Sequence, residues 1–134
     1  MDLFVDTSVW SLALRRDATS AEPAVERLRQ ALETGEGVFT TGLVLQELLQ
    51  GFGGPKARDS IVDRFGALPL LVPDRADHIE AAELRNACRR NGIHVGTIDA
   101  LLAQLCLRHD LVMLSTDRDF ELMARHADLP RWAP

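Results

Sequence analysis

Carboxylates are the side chains whose types and spacing could do chemistry in this sequence. Asp6 closes the short apolar run Leu3-Phe4-Val5, and Glu47 falls in the segment that follows Val38-Phe39-Thr40-Thr41. Asp117 follows the apolar run 111–115, with Asp119 two residues on. Asp99 says most, because the segment 98–107 around it has Gln104 as its only other polar residue. On a helix Asp99 shares a face with Leu102, Ala103 and Cys106, and no Lys or Arg lies one turn away. An ionised carboxylate in such surroundings is costly unless something pairs it. A divalent cation answers that need, and Mg²⁺ and Mn²⁺ favour carboxylate and water oxygen. Each acid taken singly also has a plain structural reading. Asp6 and Asp117 can cap helices, Asp99 can favour the positive end of its helix, and Glu47 can be a surface acid.

The elements that must bring these acids together follow from hydrophobic period and turn chemistry. Apolar runs at 3–5, 37–41, 68–72 and 111–115 predict strands. Asp6-Thr7-Ser8 opens a first helix carrying Val9, Trp10, Leu12 and Leu14. Ser20 is expected to cap a second helix, with Pro23 in its first turn and Gly35 as its stop. Helices are further predicted over 42–50, from Pro55 to about Phe65, from the Asp74 cap to Asn91-Gly92, across 98–107 buried on most sides, and from about Arg118 to His126. The tail 130–134 can add a short edge strand. Alternating apolar strands and helices imply an α/β fold: a three-layer α/β/α sandwich with a mostly parallel sheet of four to five strands. In such sheets ligands gather at the carboxyl ends of the strands, which is where Asp6, Glu47, Asp99 and Asp117 map.

Composition narrows the possibilities. The 134 residues, 46% hydrophobic and 26% charged, suit one globular domain spanning 1–134. No apolar run approaches the roughly 20 residues that span a bilayer, and the acids at Asp2 and Asp6 do not suit a secretory signal. A cytoplasmic protein is expected. Cys88 and Cys106 are too few and too isolated for a disulfide framework or a zinc site. A net charge of −5 confines any nucleic-acid contact to a local patch. Of 15 basic residues only Lys56 is a lysine, which argues against amine chemistry.

Four motifs in order, Val5-Asp6-Thr7-Ser8-Val9-Trp10, Gln46-Glu47-Leu48, Gly96-Thr97-Ile98-Asp99-Ala100-Leu101-Leu102-Ala103 and Leu114-Ser115-Thr116-Asp117-Arg118-Asp119-Phe120, resemble the PIN-domain family. More narrowly the chain resembles the VapC-type toxin ribonucleases of type II toxin–antitoxin systems. That resemblance, running from Leu3 to about Phe120, implies a PIN-like fold and Mg²⁺- or Mn²⁺-dependent hydrolysis of RNA. It carries the catalytic acids onto Asp6, Glu47, Asp99 and Asp117, with metal held by Asp6, Asp99 and Asp117 and with Asp119 as supporting acid or alternative fourth ligand. Thr7, Ser8 or Thr116 is expected to supply a hydroxyl that orients a carboxylate. An ion so held lowers the pKa of a water, orients it in line and stabilises phosphoryl charge, with Glu47 binding a second ion or placing the water. Direct attack by water leaves a 5′-phosphate and a 3′-hydroxyl.

Partners implied by the same resemblance are RNA as substrate, a cognate antitoxin that seats a helix or tail in a groove, and a second copy in a homodimer. The helix around Leu43–Leu49 is a candidate groove wall or equally ordinary core. Arg15, Arg16, Arg89, Arg90, Arg118 and His94 are candidates for a basic rim. Trp10, Trp132 or a Phe is the candidate stacking aromatic, Trp10 fitting core or dimer contact better. Two other functions compete. A catalytically silent binding module with the same fold keeps the partner and loses the chemistry, although the acids are all present. A phosphatase or phosphotransfer protein lacks support, since Asp6-Thr7-Ser8 is not Asp-x-Asp and Lys56 sits mid-chain.

Overall fold

A computed structural model describes residues 1–15 and 22–134. Strand β1 (Leu3–Val5) is wholly buried and lies at the centre of a parallel sheet with β2 (Val38–Thr41), β3 (Leu70–Leu71) and β4 (Val112–Leu114), in the order β3-β2-β1-β4. Register runs Leu3 to Val38 on one side and Leu3 to Val112 on the other. Strands this apolar need cover on both faces, and two helix groups supply it. Helix α1 (Thr7–Leu14) contacts both α2 (Pro23–Thr34) and α3 (Gly42–Gly51), and α3 contacts α4 (Pro55–Phe65), while α5 (Arg75–Arg90), α6 (Thr97–Arg108) and α7 (Arg118–Ala124) form the second group. The α/β sandwich expected from the sequence is the one observed.

Local chemistry explains most boundaries. Gly35, at φ 77°, ends α2 in the left-handed conformation that glycine tolerates. Arg27 then clamps Glu36 through two 2.8 Å hydrogen bonds, holding the Glu36 carboxyl near pKa 2 and fixing the approach to β2. A side chain at Gly37 would collide with Asp2, whose Oδ1 accepts from the Gly37 N–H at 3.2 Å. Asp74 caps α5 through a reciprocal capping box with Asp77.

Several expectations need correction. Ser20 lies outside the described residues, and Glu22 occupies the cap position of α2 without a side-chain cap bond. Strand β3 covers only Leu70–Leu71 of the expected 68–72, because Pro69 and Pro73 bracket it and Val72 is 76% exposed. Ile98 is 41% exposed, so α6 is enclosed only beyond its first turn. The tail contributes a single parallel bridge, Arg131 beside Met113, and no strand. From α3, Val44 and Leu48 are buried and Leu45 and Leu49 pack against the core, as the core alternative for this helix predicts. Trp10 is also buried, its ring centroid 4.9 Å from that of Phe65.

Candidate active site

The pocket is built where β1 and β4 end. The Asp6 N–H donates to the Leu114 carbonyl at 3.2 Å, which extends the β1–β4 ladder one step and sets Asp6 against the turn 115–117. Asp6 is 5% exposed and stands at the cap position of α1, yet its side chain makes no cap bond there. Its carboxylate accepts instead from the Ser8 hydroxyl at 2.6 Å and the Ser115 hydroxyl at 2.8 Å. Those hydroxyls accept in turn from backbone N–H groups, Thr116 to Ser8 at 3.0 Å and Asp117 to Ser115 at 2.9 Å. One network therefore fixes the plane of the Asp6 carboxylate and the path of the chain into α7. Burial pushes the Asp6 carboxyl above its ordinary range, and the two hydroxyls partly offset that.

Asp99 enters from the first turn of α6 and Asp117 from the cap of α7, where it accepts from the Asp119 N–H at 2.9 Å. Asp99, Asp117 and Asp119 each present a carboxylate oxygen within 4.8 Å of the others. Glu47, on α3, is exposed and is held by the Thr7 hydroxyl at 2.9 Å. Burial first, then the negative charges of Asp117, Asp119, Asp6 and Glu47, push the Asp99 carboxyl up to about 6. Among the described residues none of these carboxylates makes an ion pair. The acids from separate segments thus share one field with no protein cation in it.

The donor set suits a hard divalent ion. Oxygens on one octahedral Mg²⁺ lie about 3 to 4 Å apart, close to the spacing of the Asp99, Asp117 and Asp119 group. That group joins Asp119 to the expected Asp99 and Asp117, and the more deeply buried Asp6 acts on Asp99 as a neighbouring charge. The hydroxyl of this turn that reaches Asp6 is Ser115, which sequence reasoning passed over; Thr116 offers only its backbone N–H. The signal that could have found Ser115 is its place directly after β4, facing the same end of the sheet as Asp6. Among the basic-rim candidates, Arg89, Arg90, Arg118 and His94 are exposed, while Arg16 lies outside the described residues. Trp132 is half-buried against the core. Burial raises the thiol pKa of Cys88 and Cys106, Cys106 also feeling the Asp6 charge, so both are inert packing groups.

Known proteins give the same outline. The family model described as "PIN domain" matches residues 3–126. The chain is 32% identical over 129 residues to Ribonuclease VapC11 of Mycobacterium tuberculosis, covering 95% of each chain. It is 30% identical over 119 residues to Ribonuclease VapC23 of the same organism, covering 85% of this chain and 90% of the other. Two solved structures share the fold. VapBC2 from Rickettsia felis, bound to a DNA fragment from its promoter, matches 99% of this chain and 100% of its own at TM-score 0.76 and 17% identity. VapC20 of M. tuberculosis, a sarcin–ricin loop cleaving toxin, matches 96% and 99% at TM-score 0.69 and 18% identity. With this pocket and these relatives, the chain belongs to the PIN-domain family, in its VapC branch.

Proposed function

We propose that this chain is a single-domain, Mg²⁺- or Mn²⁺-dependent endoribonuclease, the toxin of a toxin–antitoxin pair. The observation that carries the reading is the convergence of Asp6, Glu47, Asp99, Asp117 and Asp119 on one pocket without a pairing cation, with Asp99 driven up to about 6 by the others and by burial. The VapC ribonucleases at 30–32% identity support hydrolysis of RNA. The VapC20 toxin and the VapBC2 assembly among the structural neighbours support a toxin role with an antitoxin partner. Among the described residues no helix is long and apolar enough to cross a membrane.

Asp99, Asp117 and Asp119 would hold the ion, with Asp6 completing the set from the pocket floor. The ion supplies positive charge to the phosphoryl oxygens and acidifies a water. Ser8 and Ser115 keep the Asp6 oxygens aimed, so that the carboxylate does not reorganise as charge develops. Glu47, turned by Thr7, stands at the open rim and is placed to accept a proton from the attacking water. No Ser, Cys or His nucleophile is needed, and the products expected are a 5′-phosphate and a 3′-hydroxyl.

The test is incubation of purified protein with RNA, with and without Mn²⁺, beside Asp99→Asn. Wild-type protein is expected to cleave only with the ion, and the variant to lose at least about 100-fold in rate, the scale of removing one key electrostatic group. Equal cleavage by Asp99→Asn ends the proposal, and no cleavage by the wild type with Mn²⁺ makes a silent binding module the better reading.

A further inference from the structure

The acid pocket repels the substrate it is proposed to cut, so an RNA strand must be held elsewhere, and α5 carries the charge for it. At about 100° per residue, Arg75, His78, Arg85 and Arg89 fall within a stripe roughly 80° wide along α5. Asp77, Glu80 and Glu83 fall on the opposite side of the same helix. In a chain of net charge −5 this sorting leaves one helix face basic. Arg75, His78 and Arg89 are exposed and Arg85 is half-buried. The stripe also borders a concave surface: His78, Ala82, Arg85 and Asn86 from α5 face Thr97 and Leu101 from α6 across a groove of about 220 Å³.

The groove leads to the acids. The Arg85 Nε donates to the Val95 carbonyl at 2.9 Å, which draws the link between α5 and α6 back onto the stripe. Two residues further, Thr97 opens α6, and Asp99 stands in the same first turn on the far side of that helix. Gly96, Thr97 and Ile98, which separate groove from pocket, are exposed, so a strand can pass over the amino end of α6 from one to the other. Free N–H groups at that end favour a phosphate on the crossing. Arg89 further along the stripe donates to Oδ1 of the groove-lining Asn86 at 2.6 Å, which ties the end of the stripe to the groove.

We infer that the Arg75, Arg85 and Arg89 stripe and the α5–α6 groove bind the phosphate backbone of single-stranded RNA flanking the cleaved bond. The inference rests on the ribonuclease reading. It makes substrate affinity a property of α5 and hydrolysis a property of the acid pocket, two surfaces separated by the first turn of α6.

The experiment measures binding of a fluorescein-labelled single-stranded RNA of about 12 nucleotides and mixed sequence, in a salt series, to Asp99→Asn protein that cannot cleave it. Adding Arg75→Gln, Arg85→Gln and Arg89→Gln is expected to weaken binding at least about tenfold at low salt and to reduce the log–log salt slope by about 2, the loss of three phosphate contacts on a single strand. Because Arg85 also anchors Val95, a second variant with only Arg75→Gln and Arg89→Gln keeps that anchor and is expected to lose about two-thirds as much slope. With all acids intact, the same two-site variant is expected to raise KM for RNA while leaving kcat in place. An unchanged slope and affinity in both variants, with the parent binding RNA, overturns the inference and leaves the ribonuclease reading standing. Loss of self-association or of a protein partner with RNA binding intact overturns it in favour of a protein interface. Failure of the wild-type chain to cleave any RNA with Mn²⁺ removes both.

Discussion

Two groups of buried or half-buried carboxylates flank α6, and they are resolved in opposite ways. At the carboxyl end of that helix, Asp77 is completely buried, yet Arg108 Nε lies 3.0 Å from it, Gln104 donates to it at 3.4 Å, and Arg108 also pairs with Asp74 at 3.1 Å. At the amino end, Asp99 with Asp6, Asp117 and Asp119 has hydroxyls and backbone N–H groups around it but no protein cation among the described residues. Burial alone therefore does not mark a functional acid. What separates the two groups is whether the chain itself provides the counter-charge, as in the Arg108 clamp, or leaves it to come from solution.

The comparison can be broken at either end. The largest effect on stability is expected at the clamp: Arg108→Met strands the Asp77 charge and should cost about 2–3 kcal/mol, less than a wholly buried pair because Arg108 is partly exposed. That corresponds to a fall in Tm of roughly 7–10 °C for a chain this size, read by calorimetry, with Mn²⁺ binding unchanged. A drop in Mn²⁺ affinity of the same size would show that the two groups are not independent. Next is the response to the ion itself. Mn²⁺ at ten times its dissociation constant should stabilise by about 1.4 kcal/mol, a rise in Tm of roughly 5 °C, and Asp6→Asn should shrink it. No rise in the wild type would mean that the acid pocket is merely tolerated.

The third test is in pH, where the groups have opposite signs. Asp99 titrates near 6 in the folded chain against an ordinary 3.8, so the folded state binds the extra proton between those values. Its contribution is best below about 4 and is lost as pH rises through about 6, without metal. The Asp77 N–H and Arg108 hold Asp74 below its ordinary range, so its contribution is present above about 4 and is lost as pH falls through the lowered value. Metal-free melting curves for Asp99→Asn should lose the decline between pH 4 and 6, whereas Asp74→Asn should lose stability only on the neutral side. The same decline in both variants would assign it to some other group.

Much of this was legible in the sequence because it is local. A strand end, a cap position and a lone acid in an apolar segment are properties of a few neighbouring residues, and Asp6, Asp99 and Asp117 come from those. The cap at Asp74 and the extent of α4 follow from the same kind of signal. What was not legible depends on distant pairing. Ser115 reaches Asp6 across 109 positions, and Ser8, Asp6 and the 115–117 turn form a network only once β1 and β4 lie side by side. The Arg108 clamp likewise needs α5 and α6 packed together before Asp77 has a partner. The shortness of β3 was written in Pro69 and Pro73, but the apolar run between them outweighed that signal.

That bracketed strand has a consequence for how the molecule behaves in a crowd. An open sheet margin normally offers a ladder of unused donors and acceptors on which a foreign chain can grow. Here the margin is two residues long, with an imide nitrogen that has no hydrogen to donate on either side. A would-be intruder finds too few rungs to climb, and this margin of the sheet resists strand addition although Leu70 is exposed to solvent.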